Sequence, residues 1–208
     1  MTVNEDLLNS FLNKSNPVYR IYDPDDVCIV LGTGRKNKGD IIDGAVKEDG
    51  IPVFTRKGGG GTVVLSPGMI VLALVAEVSS PFHNREYACR INAWQKQALE
   101  TFGIRDIREN GISDLTLGGR KILGTSLFRR KNLLFYQSSL LVKNDLSLFS
   151  RYLSFPSSVP DYRGNRDHEE FCTNLHNEGY RISVEEISAG IERIVSVELP
   201  LTDKENAD

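Results

Sequence analysis

Two short segments concentrate the residues that can hold an anion. The first is Thr55-Arg56-Lys57-Gly58-Gly59-Gly60-Gly61-Thr62, four consecutive glycines preceded by two cations. Successive glycines accept φ > 0 and leave their N–H groups uncovered, so such a loop can approach a ligand closely. Arg56 and Lys57 add fixed positive charge suited to a carboxylate or a phosphate. It is not a P-loop: no Gly-Lys-Ser/Thr closes it, and a strand-like run follows where a helix is required. The second segment is Gly119-Arg120-Lys121-Ile122-Leu123-Gly124-Thr125-Ser126. A lysine that opens a strand after a glycine turn can aim its ammonium into a pocket at the end of a sheet, as a point charge for an anionic centre. Each segment also has a plain reading: a flexible surface turn for the glycines, solvated edge charges for Arg120 and Lys121. A third segment, Tyr162-Arg163-Gly164-Asn165-Arg166-Asp167-His168, lies in the longest irregular stretch, 154–170. Its two arginines and histidine could close over phosphates, dock an acidic partner domain, or form a solvated connection.

Composition limits what these segments can serve. The 25 Lys and Arg against 28 Asp and Glu leave a net charge of -3, which excludes a basic nucleic-acid-binding slab. An anionic ligand must be held locally rather than by a global field. Cys28, Cys89 and Cys172 are odd in number and far apart, neither a disulfide framework nor a zinc spacing, and fit reduced thiols. Cys28 and Cys89 read as core residues. The start of the chain is polar and acidic, and the longest apolar run, Met69 to Ala76, falls far short of the ~20 residues that span a bilayer. The expectation is a cytoplasmic protein with no membrane or nucleic-acid partner. A chain of 208 residues, 40% of them hydrophobic, can bury about 70% of its unfolded surface around one core.

The elements that must position these residues follow from periodicity. Leu7, Leu8, Phe11 and Leu12 mark a short helix stopped by Asn16-Pro17. Val18 to Tyr22 and Val27 to Leu31 read as a hairpin around Asp23-Pro24-Asp25. Asp40 is placed to cap a helix carrying Ile41, Ile42, Ala45 and Val46 and ended by Gly50. Strands are expected at 51–55, 62–66 and 69–76, the last apolar without alternation and therefore covered on both faces. Arg85 to Phe102 is a helix with Gly103 just past its end. Ser113 to Leu117, Lys121 to Phe128 and Leu133 to Val142 are strands, the first two joined by Gly118-Gly119. A short helix at 145–153, an extended run at 171–175 and a helix opened by the capping box Ser183 to Glu186 complete the chain. Residues 1–200 read as one domain and 201–208 as a charged, frayed tail. Frequent hairpins and irregular alternation give an α+β class with mixed or antiparallel sheets.

The order of the pieces resembles the lipoate–protein ligase A family and its octanoyltransferase and biotin protein ligase relatives. That family carries Arg, two variable residues, Gly-Gly-Gly, a small residue and Val; then Asn-Asp-Leu; then Lys-(Ile/Val)-x-Gly-Ser/Thr; then a strand ending Thr-Leu-Leu. Here the matches are Arg56 to Val63, Ser113-Asp114-Leu115, Arg120 to Ser126 and Phe135 to Leu141, continued by Asp145-Leu146-Ser147 and Thr173-Asn174-Leu175. The resemblance implies mixed sheets flanked by helices, of the class II synthetase and biotin-ligase type. It implies a ligase that joins lipoate and ATP to give lipoyl-adenylate, then passes the acyl group to a lysine of a lipoyl carrier domain. Lys121 would be catalytic, at the mixed-anhydride centre. Arg56, Gly59, Gly60, Gly61, Thr62, Gly124 and Thr125 would bind substrate or adenylate, Asp114 would face the nucleotide or its Mg²⁺, and Arg163, Arg166 and His168 would add loop contacts. The strand at 69–76 and the residues around Leu123 would wall the acyl slot.

Several positions depart from the family pattern. Ser113 replaces Asn, Leu65 replaces a frequent His, and Tyr136-Gln137 replaces His-His. Gly32-Thr33-Gly34-Arg35 stands where Gly-Arg-x-Gln is usual. Many ligases carry a C-terminal accessory domain that this sequence lacks. The resemblance then implies either a separate accessory subunit, or a transferase that takes octanoyl or lipoyl groups already activated. A non-catalytic lipoyl- or adenylate-binding protein is a third reading. Cys172 is the nearest thiol for a transferase but reads as a buried structural residue.

Overall fold

The computed structural model describes residues 2–14, 16–33, 38–79, 83–156 and 158–201. In chain order the elements are α1 (Glu5–Lys14), β1 (Val18–Tyr22), β2 (Cys28–Leu31), α2 (Asp43–Glu48), β3 (Val53–Thr55), β4 (Val63–Leu65), β5 (Met69–Glu77) and α3 (Asn84–Thr101). Then come β6 (Arg108–Asn110), β7 (Asp114–Leu117), β8 (Arg120–Arg130), β9 (Leu133–Leu141), α4 (Ser147–Tyr152), α5 (His168–Phe171) and α6 (Val184–Glu198). Single 3₁₀ turns lie at Lys38–Asp40 and Asp161–Arg163.

The strands form two sheets. Six strands in the order β1-β5-β9-β8-β7-β6 are all paired antiparallel, and β3-β2-β4 form a small mixed sheet. Strand β5 is central and alternates between two buried faces, as its unbroken apolar sequence requires. Ile70, Leu72, Leu74 and Ala76 meet Ile91, Trp94 and Ala98 of α3 and Ile187, Ile191 and Val195 of α6. On the other face Ala73 and Val75 pack under Leu7, Leu8 and Phe11 of α1. Met69 and Val71 pack on Ile29, Val30 and Val64 of the small sheet. The space between the two sheets is thus walled by aliphatic side chains, each contributing about 1.5–3 kcal/mol on full burial. No helix among the described residues is long and apolar enough to cross a membrane.

The local signals that held are specific. Gly118 and Gly119 both take positive φ (57° and 77°), the geometry of a two-residue hairpin turn, and connect β7 to β8. The capping box is formed, with Ser183 Oγ accepting from Glu186 N–H and the Glu186 carboxylate from Ser183 N–H.

Four expectations fail. β1 and β2 are not a hairpin: β1 pairs with β5 in the large sheet, and β2 lies in the small one. Asp23 is the reason, since its carboxylate accepts the Gly68 N–H at 2.8 Å and docks the turn on the β4–β5 connection. Asp40 caps no helix; α2 begins after Ile42 without a side-chain cap, while the buried Asp40 accepts from the Thr62 hydroxyl at 3.3 Å. Residues 171–175 are not a strand. Phe171 ends α5, Cys172 makes one parallel bridge with Lys121, and Leu175 N–H reaches the Leu141 carbonyl. Leu201, assigned to the tail, packs in the core; the rest of the tail lies outside the described residues.

Candidate functional site

A cavity of about 270 Å³ opens between the two sheets. Val30, Val64, Leu65, Met69, Val71, Leu141, Phe149 and Leu153 give it an apolar wall. Lys121, Ser126, Gln137, Ser139, Arg163 and His168 supply its polar side. A mostly apolar cleft with a few convergent polar groups is the usual form of a small-molecule site.

Lys121 enters this cavity because of a bulge. Leu115 pairs with Leu123 but Thr116 pairs with Lys121, so Ile122 is an extra residue in β8. Ile122 and Leu123 then both point into the helix-side core, and Lys121 shares the cavity face with Gly124. A Cβ on Gly124 would lie 2.8 Å from Lys121 Cε and 2.9 Å from Nζ, so only glycine leaves the ammonium this path. Lys121 Nζ contacts Asp114 Oδ1 at 2.8 Å, and the Tyr162 hydroxyl donates to Asp114 Oδ2 at 2.7 Å. Burial, reinforced by the Asp114 carboxylate, pushes the Tyr162 phenol far above its ordinary range, so it stays a donor. Asp114 itself does not line the cavity; it orients the lysine from behind.

Arg56 is 6% exposed and makes no ion pair among the described residues. Its Nη1 donates to the Val30 carbonyl at 3.1 Å, and its Nη2 to those of Gly59 (2.8 Å) and Gly61 (2.6 Å). Nε donates to Ser126 Oγ at 2.8 Å. Burial lowers the guanidinium to about 10, still charged at neutral pH. Arg56 therefore shapes the glycine loop and lends the cavity wall a positive charge. The loop is packed, not a free turn. A Cβ on Gly58 would come within 2.0 Å of Ser126 Oγ, and one on Gly32 within 2.4 Å of the Gly60 carbonyl oxygen. Thr33 Oγ1 lies within hydrogen-bond distance of the Arg56, Lys57 and Gly58 carbonyls and can donate its one proton to any of them. Gly32-Thr33 is thus the unforeseen second half of the loop; its signal was a glycine directly after a strand.

The other sequence candidates separate clearly. Gly61, Thr62, Gly124 and Thr125 line the cavity, whereas Gly59 and Gly60 do not. Leu123 is no wall of it, being wholly buried on the opposite face. Arg163 and His168 line it, but Arg166 does not: its guanidinium braces the loop, donating to the Tyr162, Arg163 and Gly119 carbonyls. His168 Nε2 donates to the Ser154 carbonyl at 3.0 Å, and burial lowers its pKa. Cys172 lines the cavity as a buried thiol that burial pushes up to about 11. Cys28 and Cys89 are half-buried.

The departures acquire places too. Tyr136 is a core residue whose hydroxyl accepts from Gln95 and donates to Asn92, and Asn92 Nδ2 in turn holds the Ser113 carbonyl at 2.8 Å. Ser113 Oγ contacts Thr125 Oγ1. Gln137 and Leu65 line the cavity. No group of three His, Cys, Asp or Glu side chains poised for a metal occurs among the described residues. Each Asp114 oxygen already has one partner, Lys121 or Tyr162, with which a metal there would share it.

Comparison with known proteins shows the family and the fold. The family model for the lipoyl protein ligase A/B catalytic domain matches residues 1–195. Lipoate–protein ligase 2 of Staphylococcus aureus is 26% identical over 120 residues, covering 56% of this chain and 34% of that protein. The chain thus matches about a third of the length of that relative. Among solved structures, a bipartite lipoate protein ligase of Thermoplasma acidophilum, described with its E2 lipoyl domain, superposes with a TM-score of 0.80 at 22% identity. That match covers 96% of this chain and 77% of the other. A lipoate–protein ligase A with bound ATP gives a TM-score of 0.80 at 22% identity, covering 96% and 79%. The chain belongs to the lipoyl protein ligase A/B catalytic domain family.

Proposed function

We propose that this chain activates lipoate with ATP and transfers the lipoyl group to a carrier-domain lysine. The observation that carries the reading is the Lys121 ammonium, braced by Asp114, facing the apolar wall of the cavity. The apolar wall suits the acyl chain and the dithiolane ring. In the first step a lipoate carboxylate oxygen attacks the α-phosphorus of ATP, forming the mixed anhydride and releasing pyrophosphate. Lys121 neutralises the carboxylate on binding and then the charge that grows on the phosphoryl oxygens. In the second step the carrier's neutral lysine amine attacks the acyl carbonyl, an amide forms, and AMP leaves. Lys121 stabilises the tetrahedral oxyanion, and its pairing with Asp114 fixes its position in both steps. Mg²⁺ would enter with the ATP phosphates; no step here depends on it.

A ligase is favoured over a thiol-dependent transferase of octanoyl or lipoyl groups by Cys172, whose raised pKa leaves almost no thiolate at neutral pH. The bipartite organisation of the archaeal relative supports a second polypeptide as a partner, alongside the carrier domain. The test is incubation of the chain with lipoate and ATP, with lipoyl-AMP and pyrophosphate measured, followed by addition of a lipoyl domain. Adenylate and acylated carrier are expected. Acylation from an acyl-carrier donor without ATP, abolished in Cys172→Ser, would overturn the ligase reading.

A further inference from the structure

The Lys121 mechanism leaves one buried cation unused. Arg163 is 4% exposed and lines the cavity. Its guanidinium carbon lies 4.9 Å from the Phe155 ring centre and 4.7 Å from that of Phe171, so two aromatic faces hold it in place. Nε donates to the Arg166 carbonyl at 3.0 Å, while Nη2 is buried with no hydrogen-bond partner among the described residues. A buried guanidinium N–H without an acceptor is costly, and here it belongs to a side chain already fixed on a cavity wall. Arg163, Lys121 and Cys172 all line this one cavity. The cavity therefore carries Arg163 as a cation besides Lys121 and Arg56, and the Arg56 donors are spent on carbonyls.

We propose that Arg163 is the cavity's second anion-binding residue and donates through Nη2 to an oxyanion of the substrate. Two groups have that chemistry, the carboxylate of the acyl substrate and the phosphate of the nucleotide or adenylate. The inference rests on the ligase reading only for the identity of these ligands. Arg166, whose donors are spent on loop carbonyls, holds the segment that carries Arg163. This divides the labour of a loop whose two arginines look equivalent in sequence.

The test uses the full chain and its Arg163→Met variant, in which an unbranched apolar stem still fills the space between the rings. Binding of lipoate, of neutral lipoamide and of AMP is titrated by calorimetry without turnover. Loss of a charged hydrogen bond should cost roughly tenfold or more. A fall of that size in the preference for lipoate over lipoamide assigns the carboxylate, and the same fall in AMP affinity assigns the phosphate. Arg163→Lys, which keeps the charge, should recover part of the loss. Two results overturn the proposal: lipoate preference and AMP affinity both within twofold of wild type, or equal weakening of lipoate and lipoamide with AMP unchanged. An Arg163-dependent preference in a chain that releases no pyrophosphate would instead sink the ligase reading alone.

Discussion

Substituting Gly124 by Ala separates the position of the Lys121 ammonium from the stability of the fold. The added Cβ would stand 2.8 Å from Lys121 Cε and 2.9 Å from Nζ, where ordinary contact begins near 3.4 Å. The lysine end must retreat by roughly half an ångström or more, and its 2.8 Å contact with Asp114 is lost or bent. The fold should tolerate this, because the obstructed atoms are the far end of a flexible side chain. Ala in a strand interior is also favoured over Gly by about 0.5–1 kcal/mol. The melting temperature should therefore stay within about 4 °C of wild type. Misplacement of a catalytic group by ~1 Å can cost about 10²-fold, so a shift of half that size should slow lipoate adenylation roughly 10-fold or more. The assay is single-turnover formation of lipoyl-AMP at saturating lipoate and ATP, beside a thermal melt. Wild-type adenylation in Gly124→Ala would refute the argument that this glycine exists to admit the lysine. So would a melting temperature lowered by more than ~10 °C, which would make Gly124 a folding residue instead.

Two further outcomes follow from the same geometry. Arg56→Met removes the guanidinium donors to the carbonyls of Val30, Gly59 and Gly61, of which Gly59 keeps the Ser126 hydroxyl, and should destabilise the chain by roughly 2–4 kcal/mol in urea denaturation; an effect below ~1 kcal/mol would mean the loop holds its shape without it. Cys172→Ser should retain adenylation and transfer within about twofold, and in the wild type iodoacetamide should label Cys172 slowly at pH 7, the rate rising about tenfold per pH unit until the pKa of about 11 is approached; rapid labelling at neutral pH would contradict the buried, protonated thiol.

The legible part of the fold was the part written in short-range periodicity. The unbroken apolar run of β5, the helical spacing along α3 and the Ser183 capping box each specify an element by itself. Pairing was less legible. The turn at Asp23-Pro24-Asp25 carries a hairpin signature, but the Asp23 carboxylate is taken by Gly68 N–H, 45 residues away in sequence, and that distant bond sends β2 into the other sheet. In the site, Lys121 was legible as a cation after a glycine turn. The bulge at Ile122 that aims it was not, because two adjacent buried aliphatic residues look the same in a regular strand. The bracing task of Arg56 was less legible for a related reason: sequence displays a charge but not the loop carbonyls that take its donors. The division between Arg163 and Arg166 likewise depends on which carbonyls the loop offers, a property of its folded path.

The central claim is that the Lys121 ammonium activates lipoate in this cavity. Its most direct test is lipoate-dependent pyrophosphate release from ATP by the wild-type chain and by Lys121→Ala, with folding of the variant checked by its thermal melt. Removing a charge aimed at the developing oxyanion should lower the rate by about 10²–10³-fold while the melting temperature stays close to wild type. Pyrophosphate release by Lys121→Ala at a near-normal rate would contradict the account.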